Sequence, residues 1–173
     1  MELEMHPHRW ETRMPDWAAA AVSGFAAGAV LMVLELFWAA STSQVGPWRI
    51  PHLVAAIGLG PDMLESSGFS FNVGVVAVAL ATHYVLGVLF GMALGFIIAG
   101  FRYEASAWMM QVIGAAFGVM LYLFNFHGMV QFFPWFAELR GWATLIAHLV
   151  FGITASLLYW KLARNGAIPQ RSI

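Results

Sequence analysis

"FNVGVVAVALATHYVLGVLFGMALGFIIAG", residues 71–100, decides the fold. At ~1.5 Å per residue this apolar stretch is long enough to cross ~30 Å of hydrocarbon as one helix. Three more stretches reach the same length, 17–42, 107–132 and 142–162. The whole composition agrees: 61% hydrophobic and 10% charged residues, with a mean hydropathy of +0.75, lie outside the range of a water-soluble domain. The chain reads as one integral membrane domain, 1–173, all-α, a four-helix transmembrane bundle in contact with the lipid bilayer. The first span could be mistaken for a cleaved leader, but its apolar run is too long and it carries Glu35, so it is kept as a helix. There is no cysteine, which removes disulfides, thiolate ligands and iron–sulfur clusters from consideration.

Basic residues orient the bundle, because Lys and Arg are retained on the cytoplasmic side. Arg9, Arg13, Arg102, Lys161, Arg164 and Arg171 fall on one side, against Arg49 and Arg140 on the other. Both termini are therefore expected in the cytoplasm. The formal net charge of -1 is spread thinly, with no basic run, so nucleic acid is not expected as a partner. The first outer connection, "SQVGPWRIPHLVAAIGLGPDMLESSG", is too apolar for an ordinary loop. Its "HLVAAIGLG" is expected as a short interfacial helix, with Trp48 and Arg49 at headgroup depth. The second, "FFPWFAELRGW", is expected to end the third span at Pro134 and to place Trp135 and Trp142 at the interface. The N-terminal "MHPHRW" reads as a tail without an assigned role.

An internal repeat organises the spans into two helical hairpins. The first contains "GFAAGAVLMVLELFW" and the third "GAAFGVMLYLFNFHG". Aligning Gly24 with Gly114 and Gly28 with Gly118 sets Glu35 opposite Asn125. In the second and fourth spans, "HYVLGVLFG" matches "HLVFGITAS", so His83 pairs with His148, Gly87 with Gly152 and Gly91 with Ser156. Positions seven apart return to nearly the same helix face. Glu35 and Asn125 thus share the glycine faces, where small residues let helices approach closely. His83 and His148 each sit one turn from such a glycine. Four polar side chains, one per span, are expected to meet in the outer half of the bundle, about 9 to 18 Å from the outer helix ends. His127 lies ~200° around from Asn125 and should face outward.

Intramembrane ionisable groups are costly and mark function by default. Glu35, His83, Asn125 and His148 could ligate a metal ion from four helices. They could instead pass protons or cations. His83 and His148 could also be the axial pair of a haem b. The non-catalytic alternative is an accessory or assembly subunit of a larger membrane complex, or a homo-oligomer, for which ten methionines and many exposed aromatics are suited. No Ser/His/Asp order, paired aqueous carboxylates or phosphate loop points to an enzyme.

Through "HYVLGVLFGMALG" and "HLVFGITASLLY" the chain resembles small uncharacterised four-span bacterial inner-membrane proteins, some of them labelled sodium:proline symporters. The resemblance covers the second and fourth spans. It implies a bacterial inner-membrane location and no particular activity. A chain this short lacks the many spans and broken helices that a sodium-coupled symporter would need.

Overall fold

The computed structural model describes residues 14–65, 68–101 and 106–166, and within them the chain is all-α. Arg9, Arg13, Arg102 and Arg171, used above for orientation, and the "MHPHRW" segment lie outside the described residues. Four helices are long and apolar enough to cross a membrane, Trp17–Thr42, Val73–Gly100, Ala107–Gln131 and Trp142–Arg164. The chain is a multi-pass membrane protein. We label the elements α1 (Trp17–Thr42), α2 (Arg49–Leu59), α3 (Val73–Phe101), α4 (Ala107–Leu123) and α5 (Trp142–Gly166).

Side-chain caps fix where three of the helices begin. Asp16 accepts from the Ala19 amide at 2.9 Å, and Asn72 accepts from Gly74 and Val75 at 2.9 and 3.2 Å. Ser106 accepts from Met109 at 3.2 Å. Each cap satisfies amides that the first turn leaves without an intrahelical acceptor.

Glycine faces set the packing. On α3, a Cβ at Gly91 would stand 2.5 Å from the Gly24 Cα of α1 and 2.6 Å from the Ala20 carbonyl. On α5, a Cβ at Gly152 would lie 2.9 Å from both the Gly114 carbonyl carbon and the Gly118 amide of α4. These backbones touch, so only glycine fits between them. Ser156 Oγ adds a hydrogen bond to the Met110 carbonyl across the α4–α5 seam, at 2.8 Å. α1 also packs along α5, whereas α3 and α4 meet only narrowly. The helices therefore run in the order α3, α1, α5, α4 around the bundle.

The dense core lies where α1 and α4 begin and α3 and α5 end. It is built from Ala20, Leu94, Ile98, Met110, Phe151, Ala155 and Tyr159. The outward faces are apolar, with Phe37, Phe96 and Trp108 well exposed. This is the pattern of a lipid-contacting surface.

The opposite end is capped by two segments. α2 begins at Arg49, three residues before the expected start, with Pro51 tolerated in its first turn. One of its faces packs on α3, where Ala55, Val75 and Ala79 form a small cluster. The second segment departs from expectation. The third span leaves α geometry at Phe124, well before Pro134, in a π turn over Phe124–Gly128. Short 3-10 turns follow at Met129–Gln131 and Pro134–Leu139. The widened turn is supported from outside the helix, because Arg140 Nε donates to the Phe126 carbonyl at 2.6 Å.

Candidate functional site

Between the capped end and the dense core the bundle is hollow. A cavity of about 350 Å³ is lined by α1, α2, α3, α4, the π turn, the 3-10 segment and α5. Glu35, His83, Asn125 and His148 all line it. The helical phase expected from the glycines thus brings the four side chains to one space. A neighbouring cavity of about 250 Å³ beneath α2 shares Glu35 and His83 with the first, along with Ile50 and Val54. The acid and His83 stand in the walls of both.

The two histidines are held by different nitrogens. His83 Nε2 lies 2.8 Å from the Gly28 carbonyl of α1. A carbonyl only accepts, so Nε2 carries the hydrogen and Nδ1 holds the free lone pair of the neutral ring. In His148 the roles reverse. Its Nδ1 donates to the Thr144 carbonyl one turn earlier, at 2.8 Å. Its Nε2 faces the Asn125 amide nitrogen at 3.5 Å, a long contact in which the amide donates. Phe126 and Tyr122 stand edge-on to the His148 ring, with centroids at 5.2 and 6.2 Å. His148 is buried and His83 half-buried.

Glu35 has no hydrogen-bond or ion-pair partner among the described residues; it is half-buried, and its carboxyl is accessible from the cavities it lines. The main cavity's lining contains no Lys or Arg, and Glu35 is its one acid. Arg49, the one Arg or Lys of α2, is paired with Glu138 of the 3-10 segment. Trp135 Nε1 donates to the Leu53 carbonyl at 3.0 Å. These two ties join the capping segments to each other, and the same segments contribute Ile50, Val54, Phe136 and Leu139 to the cavity wall.

Convergence on a cavity is looser than ligation. Among the described residues no group of three or more His, Asp or Glu side chains could hold a metal ion. For a haem b, axial ligation through Nε2 of His83 would require breaking its bond to Gly28. His127 is exposed against the Tyr122 ring, on the outside as expected. His52 is buried, bonds the Trp48 carbonyl at 2.8 Å and lies outside the cavity lining, a structural histidine of α2.

Sequence reasoning missed the Thr144 carbonyl that sets the His148 tautomer, although it lies at the i−4 spacing that helical geometry makes a neighbour. It also missed the π turn that carries Asn125, a geometry often found at functional positions. The Arg49–Glu138 pair escaped because its partners lie in segments far apart in the chain. Comparison with known proteins finds no matching family, no matching curated protein and no matching solved structure.

Proposed function

We propose that this chain is a small bacterial inner-membrane protein that exchanges protons for a cation at Glu35. Its cavity faces the outer side and its termini the cytoplasm. One observation carries the reading: Glu35 stands without a partner in the wall of a cavity that also gathers His83, Asn125 and His148. An ionised carboxyl at this position, in a low-dielectric setting and with no counter-charge, is expensive. The site is electrically balanced with either a proton or a cation on the carboxyl, and the exchange is Glu–COOH plus a cation giving Glu–COO⁻ with bound cation plus a proton. His83 and His148, each with one lone pair unspent on the backbone, can relay that proton. Asn125 holds the His148 edge.

Orientation is supported by Lys161 and Arg164 at the end of α5 remote from the cavity. In sequence, Arg13 comes shortly before α1 and Arg102 directly after α3. A duplicated hairpin is supported by matched contacts. Gly24 meets Gly87 and Gly91, while Gly114 meets Gly152 and Ser156. Proton–cation exchange places a lighter demand on geometry than metal ligation, since it needs one acid in a common space and not a converged shell.

The test is Glu35→Gln in purified, reconstituted protein. The variant should melt as the parent does, because an amide keeps the shape and removes the charge. It should lose cation-driven proton release entirely. A folded variant with undiminished proton release would sink the proposal. Stoichiometric metal in the purified parent, lost in the variant, would replace exchange by ligation.

A further inference from the structure

We infer that the cation taken at Glu35 is organic: a monovalent onium ion, such as a quaternary or tertiary ammonium, bearing an apolar ring-containing body that fills the cavity. The inference rests on the exchange proposed above and names its substrate class. Size is the first reason. About 350 Å³ falls within the ~300–1,000 Å³ of sites that enclose whole organic molecules, and far exceeds the space of a bare metal ion.

Chemistry of the wall is the second. Around Glu35 the lining is aromatic and aliphatic, with Trp38, Phe90, Phe126, Phe136 and Phe151 among its residues. A hard inorganic cation takes a shell of about six or more oxygens; the side chains of this wall offer one carboxylate and the oxygens of Asn125 and Thr144, so most of that shell would have to be water held against an apolar surface. An onium ion needs no such shell. It is held by a single counter-charge and by the faces of aromatic rings, while its body covers the apolar surface.

Charge selects sign. With Glu35 the lone acid of the lining and no Lys or Arg in it, an anion is repelled. A neutral lipophile of the same shape can occupy the site only over the protonated carboxyl, and it gains no ion pair there. An acyl chain from the surrounding lipid is the neutral competitor that the site must reject.

Benzyltrimethylammonium and its neutral isostere 2,2-dimethylpropylbenzene separate these cases, because they share a shape and differ in charge. Calorimetry on the full chain in lipid nanodiscs, in two buffers of different ionisation enthalpy, counts protons released on binding. The ammonium should bind with about one proton released. Its affinity should rise by about tenfold per pH unit where Glu35 is protonated in the free protein, since proton and cation compete for one carboxyl. At the high-pH end of that range the isostere should bind at least ~10-fold more weakly, and it should release no proton at any pH. Glu35→Gln should abolish the proton release and the pH dependence together. The parent's discrimination between the two probes decides the matter even if that variant fails to fold. Proton release on adding sodium or potassium, with no binding of the ammonium, would overturn the organic-cation assignment and leave the exchange standing. Equal binding of both probes without proton release would overturn the inference, and no proton release with any cation would overturn both.

Discussion

Alanine at Gly152 and alanine at Gly28 should have opposite consequences, although both glycines lie on facing surfaces of paired helices. At Gly152 the new Cβ would stand 2.9 Å from the Gly114 carbonyl carbon and the Gly118 amide, with the Gly114 oxygen closer still. All three are backbone atoms inside α4, so no side chain can rotate away. Carbon contacts relax near ~3.5–4.0 Å, and because the carbonyl oxygen is the nearest obstacle the helices must part by roughly an ångström or more to reach that. Overpacking of this kind costs typically ~1–3 kcal/mol, here at the upper end because the obstacle is backbone. Alanine returns up to ~1 kcal/mol over glycine through helix propensity, leaving a net loss of about 2 kcal/mol. At Gly28 the nearest atoms are the Gly87 Cα at 3.7 Å and the His83 ring at 3.8 Å, ordinary contact distances. The expected change there runs from zero to a gain of ~1 kcal/mol. Reversible unfolding in mixed micelles by added dodecyl sulfate measures both. A loss of 2 kcal/mol corresponds to about a thirtyfold fall in the folded-to-unfolded ratio. Equal losses at both sites, or a tolerated Gly152→Ala, would refute the packing described for α4 and α5.

Three further outcomes follow from the same geometry. His148→Ala should cost about 2 kcal/mol or more, because it empties a buried position ringed by Phe126 and Tyr122; half-buried His83 should cost less and exposed His127 almost nothing, as thermal melting in mild detergent can rank. Breaking the capping tie with Glu138→Gln should change stability by no more than ~1 kcal/mol, since its side chains are 33% and 49% exposed, yet should speed ligand entry measured by stopped flow. An unchanged entry rate would show that this tie does not limit access to the cavity. Reporter fusions at both termini should read cytoplasmic, and a terminus reached from outside would reverse the orientation.

Spans, glycine faces and the inward polar residues were legible because each is periodic within a single helix. A residue seven positions beyond a glycine returns to its face wherever the helix sits. Hence Glu35 and Asn125 could be placed on the inner side and His127 on the outer, as the cavity lining and exposures bear out. What connects separate segments was not legible. The π turn at Phe124–Gly128 has no residue signature of its own, and the group that supports it, Arg140, lies 14 positions away. Arg140 read as an orienting charge, with no tie to the third span. The tautomer of His83 is set by a carbonyl 55 positions earlier, and no periodic rule within α3 points to it. Local periodicity likewise says which face is inward without saying how far apart two inward faces stand. The hollow therefore emerged only from the narrow contact between α3 and α4.

Seal and hollow nevertheless come from one pattern. Along α1 the inner face carries Gly24 and Gly28 and then Leu31 and Glu35; along α4 it carries Gly114 and Gly118 and then Leu121 and Asn125. The antiparallel partners read the same way in reverse, with Gly91 and Gly87 followed by His83, and Ser156 and Gly152 followed by His148. Small residues hold each pair in backbone contact near the dense core. Between α4 and α5 the Gly118 face still meets the His148 backbone. Between α1 and α3, where the small residues give out, the next residues on those faces are larger, so backbones that touch at glycine can no longer do so. The space left between them is walled by those polar side chains. Glu35 is therefore unpartnered for a geometric reason: it stands about three turns past Gly24, the tightest approach on its helix, with no hydrogen-bonding partner in reach among the described residues. A ligand that supplies the missing counter-charge fills the gap the packing leaves, which ties the chemistry of Glu35 to the glycines that set its distance from the other helices.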